Sequence, residues 1–306
     1  MIFLSVVWES CAGGARVLRV LGDTPCPVVP HAVDGVPVVE IGPYCFADKP
    51  VTGGTLWPAD SADTHEITGN FVEEVTLPDA VRVIDSAAFY NCRRLRRVAL
   101  GPTANSFGSD LFTNCRSLQT LELHADPGEP TGLRRLLVAI SADVTVAFTG
   151  GARLFYPEYF ELLDENTPAH IFNHSIEGEG YRMRQCFAPD GSLDFAAYDA
   201  SFAQACVGES EEKLCKLALG RLCLPYALSD DARADYEFYL TAHPDAAFTL
   251  AITAREETAV RLLVGLGLPT TNAAAYCARQ GWSAGAAILL GRSKRPVKKT
   301  YDFDDL

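Results

Sequence analysis

Apolar positions recur in a fixed pattern between residues 72 and 123. The segment VEEVTLPDAVRVIDSAAFYNC is followed by LRRVALGPTANSFGSDLFTNC and then by LQTLEL, so that Val72, Leu95 and Leu118 stand 23 residues apart. The L-x-x-L-x-L part of each copy alternates apolar and polar residues, which predicts a short strand with one buried face. An A-F-x-x-C part then supplies an aromatic ring and a small thiol for the return turn. The repeat predicts a solenoid, because stacked copies share one continuous core.

Two irregular segments flank this repeat. A distorted copy of it spans residues 28–46, and the stretch 47–71, rich in Pro, Gly, Asp, Thr and Ser, predicts a long loop that leaves the stack. The apolar first residues of the chain predict a strand that caps the N-terminal end. At the other end, LLVAI (136–140) and VTVAF (144–148) predict strands that close the stack, since terminal repeats need their outer faces covered.

The motifs L-x-x-V-x-L-P, V-x-x-I and A-F-x-x-C at this spacing resemble the BspA-type leucine-rich repeats of bacterial proteins. The resemblance covers residues 17–148 and is specific over 72–123. It implies a curved solenoid with a parallel strand face and a role in protein interaction. Members of that group often sit at the cell surface, so the resemblance also implies a bacterial surface or adhesive protein as an alternative to an intracellular scaffold.

Positions that alternate with the apolar ladder point outward on the predicted strands, where we expect either a protein-binding face or a solvated one. They are Glu73, Glu74, Thr76, Arg96, Arg97, Ala99, Gln119, Thr120 and Glu122. In the 47–71 loop, Trp57 is an aromatic residue of the kind that anchors interfaces. The alternative for Trp57 is that it folds back over the edge of the solenoid.

From Gly150 the alternation gives way to helical spacing. The first predicted helix is YPEYFELLDEN (156–166), and a small hairpin is predicted over 181–195 on the turn Pro189-Asp190-Gly191. Further helices are predicted over 196–207, 210–223, 229–242 and 245–291. The last range contains two similar segments, 249–267 and 273–291, which loosely resemble the helix pairs of ankyrin repeats but lack the T-P-L-H signature.

These patterns predict an α+β chain. A leucine-rich-repeat solenoid, mostly β with short parallel strands, is followed by an α-helical domain with a small β-hairpin. The predicted domains are residues 1–149, with the inserted loop 47–71, residues 150–292, and a charged tail, 293–306. For the tail, a solvated chain end and a docking peptide both remain open.

The net charge of −13 argues against negatively charged binding partners. Such an acidic surface repels phosphate backbones and anionic headgroups, so nucleic acid and membranes are poor partners. No stretch reaches the ~20 apolar residues that span a bilayer, and the first residues lack the basic region of a secretory signal. Ten cysteines without a C-x-x-C favour reduced thiols over zinc ligands or disulfides. We therefore expect a cytoplasmic protein whose partners are other proteins.

The sequence contains no pattern for a nucleotide loop, a serine nucleophile or a zinc protease. The best remaining cluster is His170, His174 and Cys186, with Asp164 and Glu165 nearby, and such a set can hold a metal. Ordinary surface or capping histidines are the alternative. We expect no cofactor and a non-catalytic protein-binding module. The rival is an enzyme or metal site over residues 156–190, which also contains Glu158, Glu161, Arg182 and Arg184.

Overall fold

The computed structural model describes residues 4–59, 65–166 and 171–291, with backbone alone at 164–166 and 171–173. Its backbone divides into two compact units. The first contains the chain up to Glu209 together with Leu224–Ser229, and the second contains Ser210–Cys223 together with the chain from Asp230 on. The domain boundaries drawn from the sequence at 149 and 292 stay predictions, and the 293–306 tail lies outside the described residues.

Short strands make up most of the first unit. In chain order they are β1 Ser5–Cys11, β2 Gly14–Leu21, β3 Ala32–Val33, β4 Val36–Ile41, β5 Thr55–Trp57, β6 Glu74–Thr76, β7 Val83–Ile84, β8 Arg97–Leu100, β9 Ser106–Phe107, β10 Thr120–Leu123, β11 Val144–Phe148, β12 Ala152–Tyr156, β13 Phe160–Asn166 and β14 Ile171–Glu177. Strands of two to four residues over 74–123 are what a solenoid repeat requires, because the chain must turn twice in every copy.

The two turns over residues 74–107 each contribute one strand to each of two sheets. One sheet has the order β12-β11-β10-β8-β6, and its members are parallel except for the antiparallel β11–β12 pair. The other has the order β5-β1-β2-β4-β7-β9, with parallel pairing from β2 to β9. Strand β1 pairs antiparallel with both β2 and β5, so an N-terminal hairpin closes that end. The predicted solenoid is confirmed.

Aromatic rings and thiols stack through the core of the solenoid. The ring centroids of Phe46 and Phe89 are 5.0 Å apart, and those of Phe89 and Phe112 are 5.4 Å apart. The Cys92 thiol donates to the carbonyl of Phe46 at 3.1 Å, and the Cys115 thiol donates to that of Phe89 at 3.0 Å. The thiols therefore join successive turns, as the 23-residue repeat predicts for core residues.

The end of the solenoid differs from the sequence prediction. Residues 136–140 are not a strand, because a short helix, α1 (Leu133–Val138), occupies most of them. Leu133, Leu136 and Leu137 are its buried residues. That spacing fits one helix face, and the stack is closed by a helix followed by the predicted strand over 144–148.

The first helix predicted for the C-terminal half is wrong. Residues 160–166 form β13, which pairs antiparallel with β14 from Phe160 opposite Glu177 to Asn166 opposite Ile171. This hairpin is not the one predicted over 181–195. There, a short helix, α2 (Gly180–Met183), precedes a single isolated bridge between Phe187 and Leu193.

Helices dominate the remainder of the chain, at positions close to those predicted. The first unit contains α3 Phe195–Ala200 and α4 Phe202–Gly208. The second unit contains α5 Glu211–Cys223, α6 Asp230–Ala242, α7 Pro244–Thr253, α8 Glu257–Gly265, α9 Thr271–Arg279 and α10 Ser283–Gly291. Helices α7 and α8 form one packed pair, and α9 and α10 form the next. The likeness to ankyrin repeats stays a prediction, while the α+β architecture is confirmed. Across the described ranges, every helix is too short or too polar to span a membrane.

Candidate protein-binding surface

The parallel strands β6, β8 and β10 place their outward side chains in rows. Glu74 lies opposite Arg97, which lies opposite Thr120, and the row continues to Thr145 on β11. A second row runs through Thr76, Ala99 and Glu122. Because neighbouring strands lie about 4.8 Å apart, each row presents its side chains at a constant spacing. We call the outward side of these three strands, with the residues that precede them, the rung face.

Ion pairs connect the rows of the rung face. The Arg97 guanidinium donates to Glu122 Oε2 from Nε at 2.8 Å and from Nη2 at 2.6 Å, and its Nη1 lies 3.3 Å from Glu74 Oε2. All three side chains are about one-third exposed. One arginine thus spans three strands, and the side chains keep one another in fixed positions.

A second cluster lies beside the first, where the chain enters the strands. Glu73 accepts hydrogen bonds from Arg94 and, at 2.8 Å, from Arg96. Beyond the other end of β10, His124 Nδ1 lies 2.7 Å from Asp79 Oδ1. Positive and negative side chains alternate across this surface, so the rung face has no single dominant charge. A partner would be selected by the position of its charges more than by their overall sign.

The predicted rung-face residues differ in how far they are exposed to solvent. Arg96 and Gln119 are exposed, while Glu73, Glu74, Thr76, Arg97, Thr120 and Glu122 are half-buried. Ala99 is a correction: it was expected to be outward and available, but it has 0% exposure. It sits in the central strand between Thr76 and Glu122, and its methyl group is too short to reach past these larger neighbours. The available surface is therefore formed by the longer side chains around it.

Trp57 lies in β5 and is half-buried. Its strand pairs with β1, where Trp57 is opposite Val6, a fully buried residue. The segment 47–71 is thus partly tied to the solenoid by a strand, and Ile67, near its end, is also fully buried. Trp57 thus lies in the end strand of its sheet, and its role as an interface anchor stays a prediction. Residues 60–64 lie outside the described residues.

The candidate metal ligands are not brought together by the described part of the chain. His170 lies outside it, and the side chains of Asp164 and Glu165 are not described. His174 is exposed on β14, with its Nε2 3.4 Å from Glu161 Oε2. The Cys186 thiol is buried, faces the carbonyl of Arg182, and burial raises its pKa to about 11. Among the described residues, no group of three or more His, Cys, Asp or Glu side chains is arranged to hold a metal.

The two arginines predicted for a site in the 156–190 segment have separate partners. Arg184 is 3% exposed, and its guanidinium donates to the carbonyls of Ile140 (3.0 Å), Ala142 (2.7 Å), Gly180 (2.9 Å) and Pro157. Burial lowers the pKa of Arg184 to about 10. Arg182 is exposed and pairs with Glu179. Arg184 therefore binds the backbone that joins β11, β12 and α2, and does not face a cleft with the carboxylates.

Sequence reasoning missed an exposed apolar hairpin in this segment. On β13, Phe160 is 56% exposed, Leu162 39% and Leu163 67%, and on β14, Ile176 is 37% exposed. Alternation places Phe160 and Leu162 on one face and Leu163 on the other, so both faces expose apolar side chains. The signal available in the sequence was the pair of segments FELLDEN and IFNHSIE, which have strand-forming residues and a short connection.

Comparison with known proteins agrees with the repeat architecture. Residues 68–128 match the family described as BspA type Leucine rich repeat region (6 copies), so the predicted resemblance is confirmed for these repeats. Among curated proteins, no sequence matches the chain. Among solved structures, a leucine rich cell surface protein from Faecalibacterium prausnitzii A2-165 is similar, at 19% identity over 48% of this chain and 42% of that one, with a TM-score of 0.28. The match thus spans less than half of that protein's length.

Proposed function

We propose that the protein is a non-catalytic protein-binding module whose BspA-type leucine-rich repeats, matched over residues 68–128, present the rung face to a partner. The observation that carries the proposal is the pairing of Arg97 with both Glu74 and Glu122 across three parallel strands. A rigid sheet and mutual ion pairs hold these charges in place before any partner arrives. A prearranged surface loses less side-chain entropy on binding than a mobile one.

The charge pattern indicates what kind of partner fits. Ion pairs near the surface add little to stability, typically about 0–1 kcal/mol each, so we expect the ion pairs of the rung face to contribute little to the stability of the solenoid. Carboxylates and guanidinium groups alternate on it, which suits a folded protein surface with its own alternating charges. A nucleic acid would meet Glu73, Glu74 and Glu122 and be repelled.

Affinity capture from the native cell lysate tests the proposal. The tagged wild-type protein is compared with Glu74→Lys, which reverses one charge in the row, and with Glu129→Lys, the same charge change on an exposed turn away from the strands. We expect a stoichiometric protein partner that is retained by Glu129→Lys and lost or reduced at least about tenfold by Glu74→Lys, a cost of ~1.4 kcal/mol. A partner retained equally by both variants would place binding elsewhere.

We also propose that the protein works in the cytoplasm, with the cell surface as the alternative. The buried cysteines Cys45, Cys92, Cys186, Cys215 and Cys277 lie in the described ranges, and none of them is in a disulfide there. Unpaired thiols in the core suit a reducing compartment, where disulfides are rare. Fractionation of the native cells distinguishes the two locations, since detection of the protein on intact cells by an added protease or antibody would support the surface alternative.

A further inference from the structure

The solenoid covers the edges of its sheets in several different ways. At the β6 edge, the chain of the preceding turn bonds to Thr76, whose N–H donates to the carbonyl of Pro27 at 3.0 Å. At the β12 edge, the Tyr198 hydroxyl donates to the Phe155 carbonyl at 2.6 Å and accepts from the Phe155 N–H at 3.1 Å. Open strand edges are templates for pairing with another chain, so native proteins usually cover them.

The edges of the other sheet are also protected against pairing with another chain. The β9 edge is approached by α1, and Arg135 Nη1 on that helix donates to the Asn105 carbonyl at 2.8 Å. The β5 edge is only three residues long and is followed by Pro58, which has no N–H to offer. A short strand and a proline are both devices that discourage edge pairing.

The hairpin β13–β14 is the exception among the described sheets. It is a two-stranded sheet, and across the described ranges no further strand pairs with either of its outer edges. Phe160, Leu162, Leu163 and Ile176 are exposed on its two faces. An isolated hairpin is marginally stable in water, and three or more strands are normally needed. These properties suit an element that is completed by another chain.

The two strands of the hairpin differ in charge. Strand β13, FELLDEN, contains three acidic residues, whereas in β14, IFNHSIE, the residues from 171 to 176 include no Asp, Glu, Lys, Arg, Pro or Gly. Charges and prolines are what normally protect an edge. The β13 edge is therefore protected by its carboxylates, and the β14 edge is open to pairing.

We infer that the β14 edge pairs antiparallel with β14 of a second copy of this chain, so that two hairpins form one four-stranded sheet. With the twofold axis at His174, this residue lies opposite its own copy, and Ser175 lies opposite residue 173. Apart from histidine at the axis, the pairing brings no two like charges directly opposite each other, and Glu177 lies opposite residue 171. The edge is self-complementary, which a twofold interface requires.

A second copy fits this edge better than an unrelated strand for a further reason. The twofold pairing leaves the acidic β13 strands outside, at the two ends of the new sheet, so the assembly stops at two chains. Pairing through β13 would place Glu161, Asp164 and Glu165 of both copies close together and would be repulsive. This inference does not depend on the proposed function of the rung face, because it uses no rung-face residue.

The test measures the mass of the full chain in solution by sedimentation or light scattering. We expect a dimer for the wild type. His174→Lys leaves a side chain that can pair with Glu161 within the chain but places two permanent cations opposite each other at the axis, so its dimer dissociation constant should rise at least about tenfold. The matched control is Leu163→Lys, on the neighbouring position of β13, which should still dimerise because it lies on the outer strand.

A charge exchange separates loss of the interface from loss of folding. His174→Glu is expected to be monomeric on its own, and mixing it with His174→Lys should restore a heterodimer through a Lys–Glu pair at the axis. A wild type that stays monomeric at about 100 µM, a concentration at which even a weak dimer would be populated, overturns the inference. It is also overturned if the dimer is unaffected by His174→Lys, or if the mixture does not associate.

Discussion

Two buried arginines hold irregular backbone in place by donating to carbonyl oxygens. Arg19, which has 0% exposure, donates from Nη1 to Cys45 and Ala47 at 3.0 and 2.8 Å and from Nη2 to Lys49, while its Nε lies 3.4 Å from Glu66. Arg184 does the same for the chain before β11, after β12 and at the start of α2. The planar guanidinium suits this role because it offers five N–H donors in fixed directions.

Replacement of Arg184 by methionine should destabilise the fold. It removes the guanidinium donors of the Ile140, Ala142 and Pro157 carbonyls, while the Gly180 carbonyl still accepts the backbone N–H of residue 184. Each unsatisfied buried group costs about 1–3 kcal/mol, so we expect a loss of about 3 kcal/mol or more in the free energy of unfolding. Arg184→Lys should fall between the wild type and Arg184→Met, since one ammonium cannot reach all four oxygens. Chemical denaturation measures these values.

Arg182→Met, at the exposed arginine two positions earlier, should change stability by less than about 0.5 kcal/mol and serves as the control. Equal effects at both positions would show that the carbonyl contacts are unimportant.

Thiols of the core should be inert in the native protein. Burial raises the pKa of Cys45 to about 12 and that of Cys115 to about 12. The thiolate is the reactive form, so alkylation at about pH 8 should reach exposed Cys26 first and the core thiols only after unfolding. Because the folded state holds these protons more tightly, their contribution to stability is present below the ordinary thiol pKa of 9.0 and is lost as the pH rises toward the folded values. Peptide mapping of the alkylated sites checks the prediction, and rapid labelling of Cys45 in the native protein would contradict it.

At the scale of elements, the stability of the solenoid depends on how its end strands are covered. Tyr198 of α3 satisfies both backbone groups of Phe155 at the β12 edge, and its ring packs edge-on against Tyr156 with centroids 5.6 Å apart. A single hydroxyl thus replaces the strand that the sheet lacks on that side. The helix α3 is attached to the solenoid by this contact.

The variant Tyr198→Phe isolates that hydroxyl. It keeps the ring and removes both hydrogen bonds, so we expect a loss of about 1–3 kcal/mol in the free energy of unfolding, because buried groups of β12 lose a partner. Hydrogen exchange should become faster at the Phe155 amide while the amides of β8 stay protected. If exchange at Phe155 were unchanged, the hydroxyl would not be covering the edge.

Elements that belong to the 23-residue repeat could be predicted from the sequence. Elements whose conformation depends on pairing with another segment of the chain could not. Val75, Val98 and Leu121 share one row of the sheet, as the 23-residue repeat implies. Residues 160–166 were expected to be helical because Phe160, Leu163 and the flanking acids also fit helical spacing. Their conformation as β13 depends on pairing with residues 171–177, which local periodicity does not report.

For the rung face, the outward positions could be predicted from the sequence, but the exposure of each side chain could not. Alternation along the repeats identified the outward positions Glu74, Arg97 and Glu122, because inward and outward residues follow directly from the strand period. It could not indicate that Ala99 is covered, since exposure depends on the length of side chains on adjacent strands. Arg19 follows Ala15 and Val17 at alternate positions of β2, so strand alternation points its side chain inward like theirs. A buried arginine is nevertheless unexpected from the sequence, because the carbonyls that it binds are known only from the structure.

For the whole molecule, the rung face and the hairpin are two separate surfaces with different chemistry. The rung face consists of ion-paired charges on a rigid sheet, and the hairpin exposes Phe160, Leu163 and Ile176 beside an open edge. A dimer formed through β14 would present two rung faces to a partner that itself has more than one copy. Linked binding of that kind raises the overall affinity without any new contact.

Carboxylate footprinting of the captured complex tests the central claim most directly. A water-soluble carbodiimide and an amine label carboxylates that are accessible, and the extent of labelling at Glu73, Glu74 and Glu122 is compared between the protein alone and the complex. Glu129 and Asp190, both exposed and outside the rung-face strands, serve as references. We predict that labelling of the three rung-face carboxylates falls at least about tenfold on binding while the references stay unchanged, since a partner on this face excludes the reagent. Unchanged labelling of Glu73, Glu74 and Glu122 in a stoichiometric complex would contradict a binding role for the rung face.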